Sequence, residues 1–157
     1  MGYFSINAWD VISSEMSQQK RYQTNKEDFL ILEKMQAQFA WKQLPYELLT
    51  SNFDALVITD HQQVIQWVSL GFEQMTGYVP KEAIGRRPKF LQGPATCEKT
   101  KTKIRQALEK DVKVKGAVLN YKKSGNPYLC SIEIFPMVNI NNETSHYMAI
   151  EREIENF

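Results

Sequence analysis

A change of hydrophobic pattern near residue 52 divides the chain and limits the folds that it can adopt. Before this point, large apolar residues recur at spacings of three and four: Phe29, Leu32, Met35 and Phe39. This spacing is typical of an amphipathic helix and predicts one over residues 25–43. After it, short apolar and β-branched runs alternate with turn residues, which is typical of β-strands. A helical extension followed by a strand-rich domain is therefore expected.

The order of the predicted elements after residue 52 indicates the fold class. Strands are predicted at 55–59, 64–68, 112–122, 128–138 and 147–154, and helices at 71–76, 80–83 and 96–110. Runs of strands around a block of helices favour an α+β fold with an antiparallel sheet. The length of 157 residues allows one domain with a sizeable core. The predicted organisation is an arm over 1–23, a helical extension over 24–52 and a domain over 53–157.

The predicted N-terminal helix has two possible packing surfaces. Thr24 and Glu27 have the spacing of a capping box that would begin the helix, and Pro45 would end it. The apolar face could pack on the chain's own domain or on a partner chain. We predict a homodimer in which this face, formed by Phe29, Leu32, Met35 and Phe39, contacts the sheet or helix of the partner.

Composition excludes several classes of function. The net charge is +1, which gives no overall electrostatic reason to expect nucleic acid binding. No apolar stretch is long enough to cross a membrane, and no signal peptide begins the chain, so a cytoplasmic protein without membrane contact is expected. Two cysteines, Cys97 and Cys130, make neither a disulfide framework nor a four-ligand metal site.

Catalytic patterns are missing from the sequence, so the chain is not expected to be an enzyme. It contains no phosphate-binding loop and no nucleophile elbow. His61 and His146 both fall in predicted turns and are expected to be solvated rather than to bind a metal. No metal or catalytic residue is predicted.

Two segments resemble the light-oxygen-voltage (LOV) subfamily of PAS domains. The first runs from Gly85 to Pro94 and reads Gly-Arg-Arg-Pro-Lys-Phe-Leu-Gln-Gly-Pro; the second, from Asn120 to Gly125, reads Asn-Tyr-Lys-Lys-Ser-Gly. The resemblance covers about residues 53–154. It implies a five-stranded antiparallel sheet with helices over one face, and a pocket between them for flavin mononucleotide (FMN). In this family, light makes a cysteine add to the flavin, and the sheet relays the change to flanking helices.

The resemblance also shows where this chain departs from the family pattern around the flavin ring. The position of the photoactive cysteine is Pro88, which has no nucleophile, and the asparagine before it is Arg87. Asn120 matches the first of two asparagines that bind the ring edge, whereas the second is Cys130. The glutamine of the last strand, which senses the protonation of the ring, is Glu151.

The residues at the positions that bind the polar tail of FMN match the family pattern more closely than those around the flavin ring. Two arginines usually hold the phosphate; the first matches Lys89, which keeps the charge but not the bidentate fork, and the second matches Arg105. Gln92 matches a glutamine that contacts the tail. The alternative, which is favoured, is structural: these three side chains are solvated, and Asn120 bonds to backbone groups of its strand.

These departures lead to two alternative functions. Each lost hydrogen bond to a buried polar group costs roughly 1–3 kcal/mol, so bound flavin is not expected, although FMN binding remains open. The chain is predicted to be a non-catalytic PAS sensor or protein-interaction module without cysteinyl-flavin photochemistry. The alternative is a flavin-binding photoreceptor or redox sensor that acts by photoreduction. Its output is expected to pass to an unknown protein partner or through the N-terminal helix.

Glu151 is the residue with the sharpest structural prediction. The family alignment directs it into the pocket, whereas strand alternation favours the opposite face, with Met148 and Ile150, for the core. The alignment and the alternation agree only if both faces of the sheet are covered. The predicted dimer would cover the second face. We predict that Glu151 is buried and makes a polar contact with Asn120, Arg87 or bound water. The alternative is a solvated glutamate at a sheet edge.

Overall fold

The fold is known from a computed structural model, which describes residues 26–49 and 51–154. The predicted arm over 1–23 and the capping residue Thr24 lie outside the described residues. Helix α1 is described over 26–39. The other helices are α2 (Tyr46–Leu49), α3 (Leu70–Thr76), α4 (Pro80–Ala83), a 3-10 turn (Pro88–Leu91) and α5 (Glu98–Glu109). The strands are β1 (Ala55–Asp60), β2 (Ile65–Val68), β3 (Val114–Tyr121), β4 (Pro127–Val138) and β5 (Thr144–Ile154).

The five strands form one antiparallel sheet in the order β2-β1-β5-β4-β3. This confirms the predicted fold class. One face of the sheet, called the inner face here, packs against α3, the 3-10 turn and α5 around the fully buried Phe72. Gly77 ends α3 in the left-handed conformation at φ 80°, which glycine adopts without steric cost.

The opposite, outer face of the sheet is covered by the chain's own N-terminal extension. Leu32 of α1 is completely buried, and Phe29, Met35 and Phe39 pack against the same apolar cluster. The cluster also contains Met148 of β5. Of the two packing surfaces considered for the helix, α1 packs on the sheet of its own chain.

This cover resolves the conflict over the last strand. Tyr147 and Ala149 belong to the inner core, while Met148 and Ile150 belong to the outer one. Both faces of β5 are therefore covered, as the burial of Glu151 requires. The expectation that a dimer would cover the second face is corrected, because α1 and the segment that follows it do so within one chain.

Helix α1 ends earlier than the expected residue 43. Ala40 adopts φ 52°, which stops the helix at residue 39. Trp41 then forms an isolated bridge with Asn139, and the Lys42 backbone N–H donates to the carbonyl of Val138 at 2.9 Å. Pairing with the end of β4 has thus replaced the last helical turn.

Two local expectations are wrong. His146 is not a solvated turn residue: β5 begins at Thr144, and His146 is only 7% exposed, against the ring of Phe39 with a centroid distance of 4.2 Å. Thr96 does not begin α5, whose cap position is Cys97. His61 does lie exposed in a turn, as expected.

Within residues 26–49 and 51–154, no helix is long and apolar enough to span a membrane.

Candidate ligand site

A band of polar side chains lies on the inner face near one end of β3, β4 and β5. It comprises Asn120, Tyr128, Cys130 and Glu151, which are 6%, 5%, 0% and 4% exposed. The register explains why they meet, since Asn120 pairs with Tyr128, and Glu151 pairs with Ile132, two residues after Cys130. Because side chains on one face recur every second residue, the four project to the same side. Their burial confirms that Glu151 lies inside.

The environment of Glu151 favours the protonated, uncharged form of its carboxyl. Burial raises its pKa from 4.5 to about 7, and the neighbouring Cys130 thiol lowers the pKa by a smaller amount. The expected contacts with Asn120 and Arg87 are corrected: Oε2 of Glu151 has no hydrogen-bond partner among the described residues, and Arg87 is exposed in the loop before the 3-10 turn. Burial also raises the pKa of the Cys130 thiol, as does the negative charge of Glu151. This cysteine is therefore protonated at neutral pH and is a poor nucleophile.

Two atoms of this band have no hydrogen-bond partner among the described residues. They are the Tyr128 hydroxyl oxygen and Oε2 of Glu151, and both are buried. Burial and the neighbouring Glu151 raise the Tyr128 pKa, whereas the adjacent Asn120 amide lowers it. A buried polar atom without a partner costs about 1–3 kcal/mol. The arrangement therefore suits a bound group with its own polar edge, which would satisfy both atoms.

The 3-10 turn forms the opposite wall of the inner core. Leu91 is 3% exposed, and Phe90 packs edge-to-face on Tyr78 at 5.0 Å between ring centroids. Proline fixes φ near −65°, which fits the first position of such a turn, so Pro88 begins it without strain. Pro88 is half-buried there.

The loop after this turn is held against β3. A Cβ on Gly93 would lie 2.3 Å from the Tyr121 ring, so only glycine allows this approach. The Thr96 hydroxyl accepts from the Gly93 backbone N–H at 2.9 Å and donates to the carbonyl of Leu119 at 2.6 Å. These bonds, rather than a helix cap, account for the buried Thr96.

The candidate phosphate-binding residues lie outside the buried band. Lys89 is exposed on the 3-10 turn, and Arg105 is exposed on α5, where it donates to the Thr102 hydroxyl at 3.4 Å. Gln92, directly after the 3-10 turn, is half-buried. The structure therefore brings together Asn120, Cys130 and Glu151, and places Lys89 and Arg105 at the surface.

Sequence reasoning missed Tyr128 and Asp28 as polar residues of the interior. Tyr128 could have been found from its position two residues before Cys130, which places both on one face of β4. Asp28, which is 2% exposed, precedes Leu32 by one helical turn and so shares its buried face.

Comparison with known proteins agrees with this architecture. A family model described as "PAS domain" matches residues 54–156. The blue-light-activated histidine kinase of Brucella anthropi is 39% identical over 83 residues, which are 53% of this chain and 17% of that protein. The chain therefore spans only a small part of the length of this curated relative.

Two solved structures share the fold. The light-state structure of the blue-light photoreceptor Aureochrome1 LOV has a TM-score of 0.65 and 27% identity, over 73% of this chain and 91% of that one. The light-state dimer of the fungal blue-light photoreceptor Vivid has a TM-score of 0.59 and 27% identity, over 62% of this chain and 75% of that one. This chain therefore belongs to the PAS family, as a PAS domain of the light-oxygen-voltage type.

Proposed function

We propose that this chain is a LOV-type sensor or protein-interaction module that works without a cysteinyl-flavin adduct. The observation that carries the proposal is the chemistry of the 3-10 turn. Its first residue, at the position where the family pattern has its reactive cysteine, is Pro88. Cys97 is exposed before α5, and Cys130 is buried on the sheet with a raised pKa. Neither cysteine replaces a thiol on the turn.

The first prediction concerns light. Purified full-length protein is expected to show no reversible bleaching by blue light and no absorption band of a thioether adduct, because Pro88 offers no sulfur. Visible absorption before and after illumination, with mass spectrometry of the denatured protein for any released small molecule, makes the measurement. A reversible adduct cycle in the wild-type chain would overturn the proposal.

Variants separate the missing thiol from the altered ring contacts. Pro88→Cys alone is not expected to restore the cycle, because Cys130 and Glu151 still differ from the family pattern. The combination of Pro88→Cys, Cys130→Asn and Glu151→Gln is expected to restore flavin binding and some adduct formation. Pro88→Ala is the matched control, because it changes the turn without adding a thiol.

A flavin-binding photoreceptor without an adduct is the second candidate, and the unsatisfied atoms of Tyr128 and Glu151 favour it. These residues and Asn120 would hold the polar edge of a flavin ring, while Lys89 and Arg105 would attract its phosphate. When bound, a flavin supplies light absorption and a group that accepts electrons. A buried carboxyl with a pKa of about 7, such as Glu151, can hold a proton beside it at neutral pH.

The same spectrum separates the two candidates. The first expects no flavin absorption in the purified chain, and titration with FMN should then leave the FMN fluorescence unquenched. Flavin absorption in the purified protein, without the adduct cycle, would replace the first candidate by the second. Glu151→Gln is the informative variant in that event, since it restores the amide of the family pattern.

We propose that the chain acts as a homodimer and passes its signal to a further protein. Vivid, a similar photoreceptor, is named as a light-state dimer. The interface residues expected from the sequence, Phe29, Leu32, Met35 and Phe39, pack on the chain's own sheet, so the proposed dimer does not use that face.

A further inference from the structure

A cavity of about 260 Å³ lies on the outer face of the sheet, at the point where the N-terminal extension ends. Phe53 and Ile150, two buried members of the outer apolar cluster, form its apolar wall, and the rest of its lining is polar or charged. Residues 51–53 line it and precede the family match, which begins at residue 54, so part of this outer cavity is an addition to the common domain. Its volume lies just below the range of about 300–1,000 Å³ that is typical of pockets for drug-sized ligands, so it suits a smaller molecule.

The register of the sheet places basic and hydroxyl side chains around the outer cavity. Ser131 of β4 lies opposite Arg152 of β5, and Glu133 of β4 lies opposite Lys115 of β3. Ser131 and Glu133 are two residues apart, so they project from the same face of β4, about 7 Å from each other along the strand. Arg152 and Lys115 are therefore two strands and one such step apart, which is about 12 Å between their Cα atoms. Both long side chains can reach a group bound between them, next to Ser131.

Arg152 and Ser131 have hydrogen-bonding capacity that the described part of the chain does not use. The Arg152 guanidinium forms no ion pair or side-chain hydrogen bond with residues 26–49 or 51–154. The hydroxyl of Ser131 has no partner there either. A guanidinium offers a planar fork of N–H donors that matches the oxygens of a carboxylate or a phosphate, and a hydroxyl adds one further donor.

The charges around the outer cavity favour an anion. Glu133 is the one acidic side chain that faces it among the described lining residues, because the side chain of Glu151 points to the inner face. Glu133 already pairs with two cations, Lys115 at 3.0 Å and Lys113 at 3.2 Å between nitrogen and oxygen. With Arg152, three positive charges lie near one carboxylate. This excess of positive charge attracts a ligand that carries a negative group.

We propose that the outer cavity binds a small organic anion through a carboxylate or phosphate group. The Arg152 guanidinium and the Ser131 hydroxyl donate to the anionic oxygens, and Lys115 adds a positive charge. Phe53 and Ile150 contact the apolar part of the ligand. The cavity lies on the opposite face of the sheet from the buried polar band, so the proposal is separate from flavin binding and goes beyond the proposed sensor function.

Titration of the full-length protein with inorganic phosphate, and separately with succinate, tests the site. Amide NMR spectra are recorded near neutral pH and at constant ionic strength, so that a general salt effect does not contribute. Saturable shifts are expected for the amides of Ser131, Arg152 and Lys115, with a dissociation constant of about 1 mM or lower. Saturation by either probe supports the site and identifies the anionic group that it accepts. Shifts that rise linearly with both probes, or that lie elsewhere in the protein, would overturn it.

Variants of the two donors measure their contributions. Arg152→Gln removes the guanidinium and is expected to weaken binding about tenfold or more, because hydrogen bonds between charged groups are the stronger ones. Ser131→Ala should weaken it about twofold to tenfold, the range for one neutral donor. Arg87→Gln is the matched control, since it removes an arginine that is exposed in the loop before the 3-10 turn, and it should leave the affinity unchanged. Equal affinity of Arg152→Gln and the wild type would contradict the proposal.

Glu133→Gln is expected to change the affinity in the opposite direction. It keeps the shape of the side chain and removes the negative charge that competes with the ligand for Lys115, so binding should become several-fold tighter. A merely structural role of Glu133 would weaken binding instead, since loss of its ion pairs would only loosen the site. Unchanged or weaker binding by a folded Glu133→Gln protein would overturn the proposed anion site. Arg152 is exposed, so its variant decides the question if Glu133→Gln fails to fold.

Discussion

Replacing Glu151 by glutamine is expected to stabilise the folded protein by about 3 kcal/mol above pH 7 and to have little effect near about pH 4. The carboxyl of Glu151 is buried without a cationic partner in the described part of the chain, and its pKa rises from 4.5 to about 7. Glutamine has nearly the same shape and never ionises. The gain in stability should therefore appear only at pH values at which the native Glu151 side chain is ionised.

The direction follows from proton binding in the two states. Between pH 4.5 and about 7, the folded protein retains a proton on Glu151 that the unfolded chain has released. Stability therefore falls as the pH rises through this window, and it stays low above it. Below the window both states are protonated, and the carboxyl imposes no penalty.

Urea unfolding of the wild type and Glu151→Gln across this pH range measures the effect. Asp28 also has a raised pKa, so the wild-type curve alone would mix two groups; the difference between the two proteins isolates Glu151. Glu153→Gln, two residues along the same strand, removes a half-exposed carboxylate that pairs with Lys122 at 3.0 Å. It is expected to cost about 1 kcal/mol or less. Curves for the wild type and Glu151→Gln that run parallel at every pH would contradict the burial argument.

Regular periodicity explains how much of the fold could be predicted. The strands were found because apolar runs and turn residues alternate along the chain, and the predicted bounds of β1, 55–59, differ from Ala55–Asp60 by one residue. The face of Glu151 followed from the family alignment rather than from β5 alone. Alternation alone favoured the face of Met148 and Ile150 for the core, whereas in the structure both faces of the strand are buried.

Long-range contacts account for what the sequence did not predict. His146 was placed in a turn because Asn139–Thr144 are turn formers, but β5 begins at Thr144 and Trp41 and Phe39 enclose the histidine. Both aromatic residues lie more than 100 positions away. No local pattern reports that contact.

The candidate site was predicted in part, for a related reason. Asn120, Cys130 and Glu151 were identified through the family pattern, and the sheet register brings them together. The expected partner Arg87 was wrong, although a long cationic side chain was the obvious partner for a buried carboxyl. Arg87 lies in an exposed loop. Pairing with the buried carboxyl of Glu151 would remove the hydration of its guanidinium, which is unfavourable.

Truncation of Leu32 to alanine is expected to destabilise the protein by about 2–5 kcal/mol, the range for a buried leucine that leaves a cavity. Leu32 is completely buried between α1 and the outer face of the sheet. Leu30→Ala is the matched control, because it is the same change on the same helix at a side chain that is 50% exposed. Its effect should stay within about 0.5 kcal/mol.

Concentration dependence distinguishes packing within one chain from packing on a partner. If α1 covers its own sheet, the difference between Leu32→Ala and the wild type is the same at every protein concentration. If α1 instead covers a second copy, the loss of stability varies with concentration and the variant has a lower mass in solution, because subunit association then contributes to folding. Equal effects of Leu32→Ala and Leu30→Ala would contradict both arrangements, since each requires one side chain buried and the other exposed.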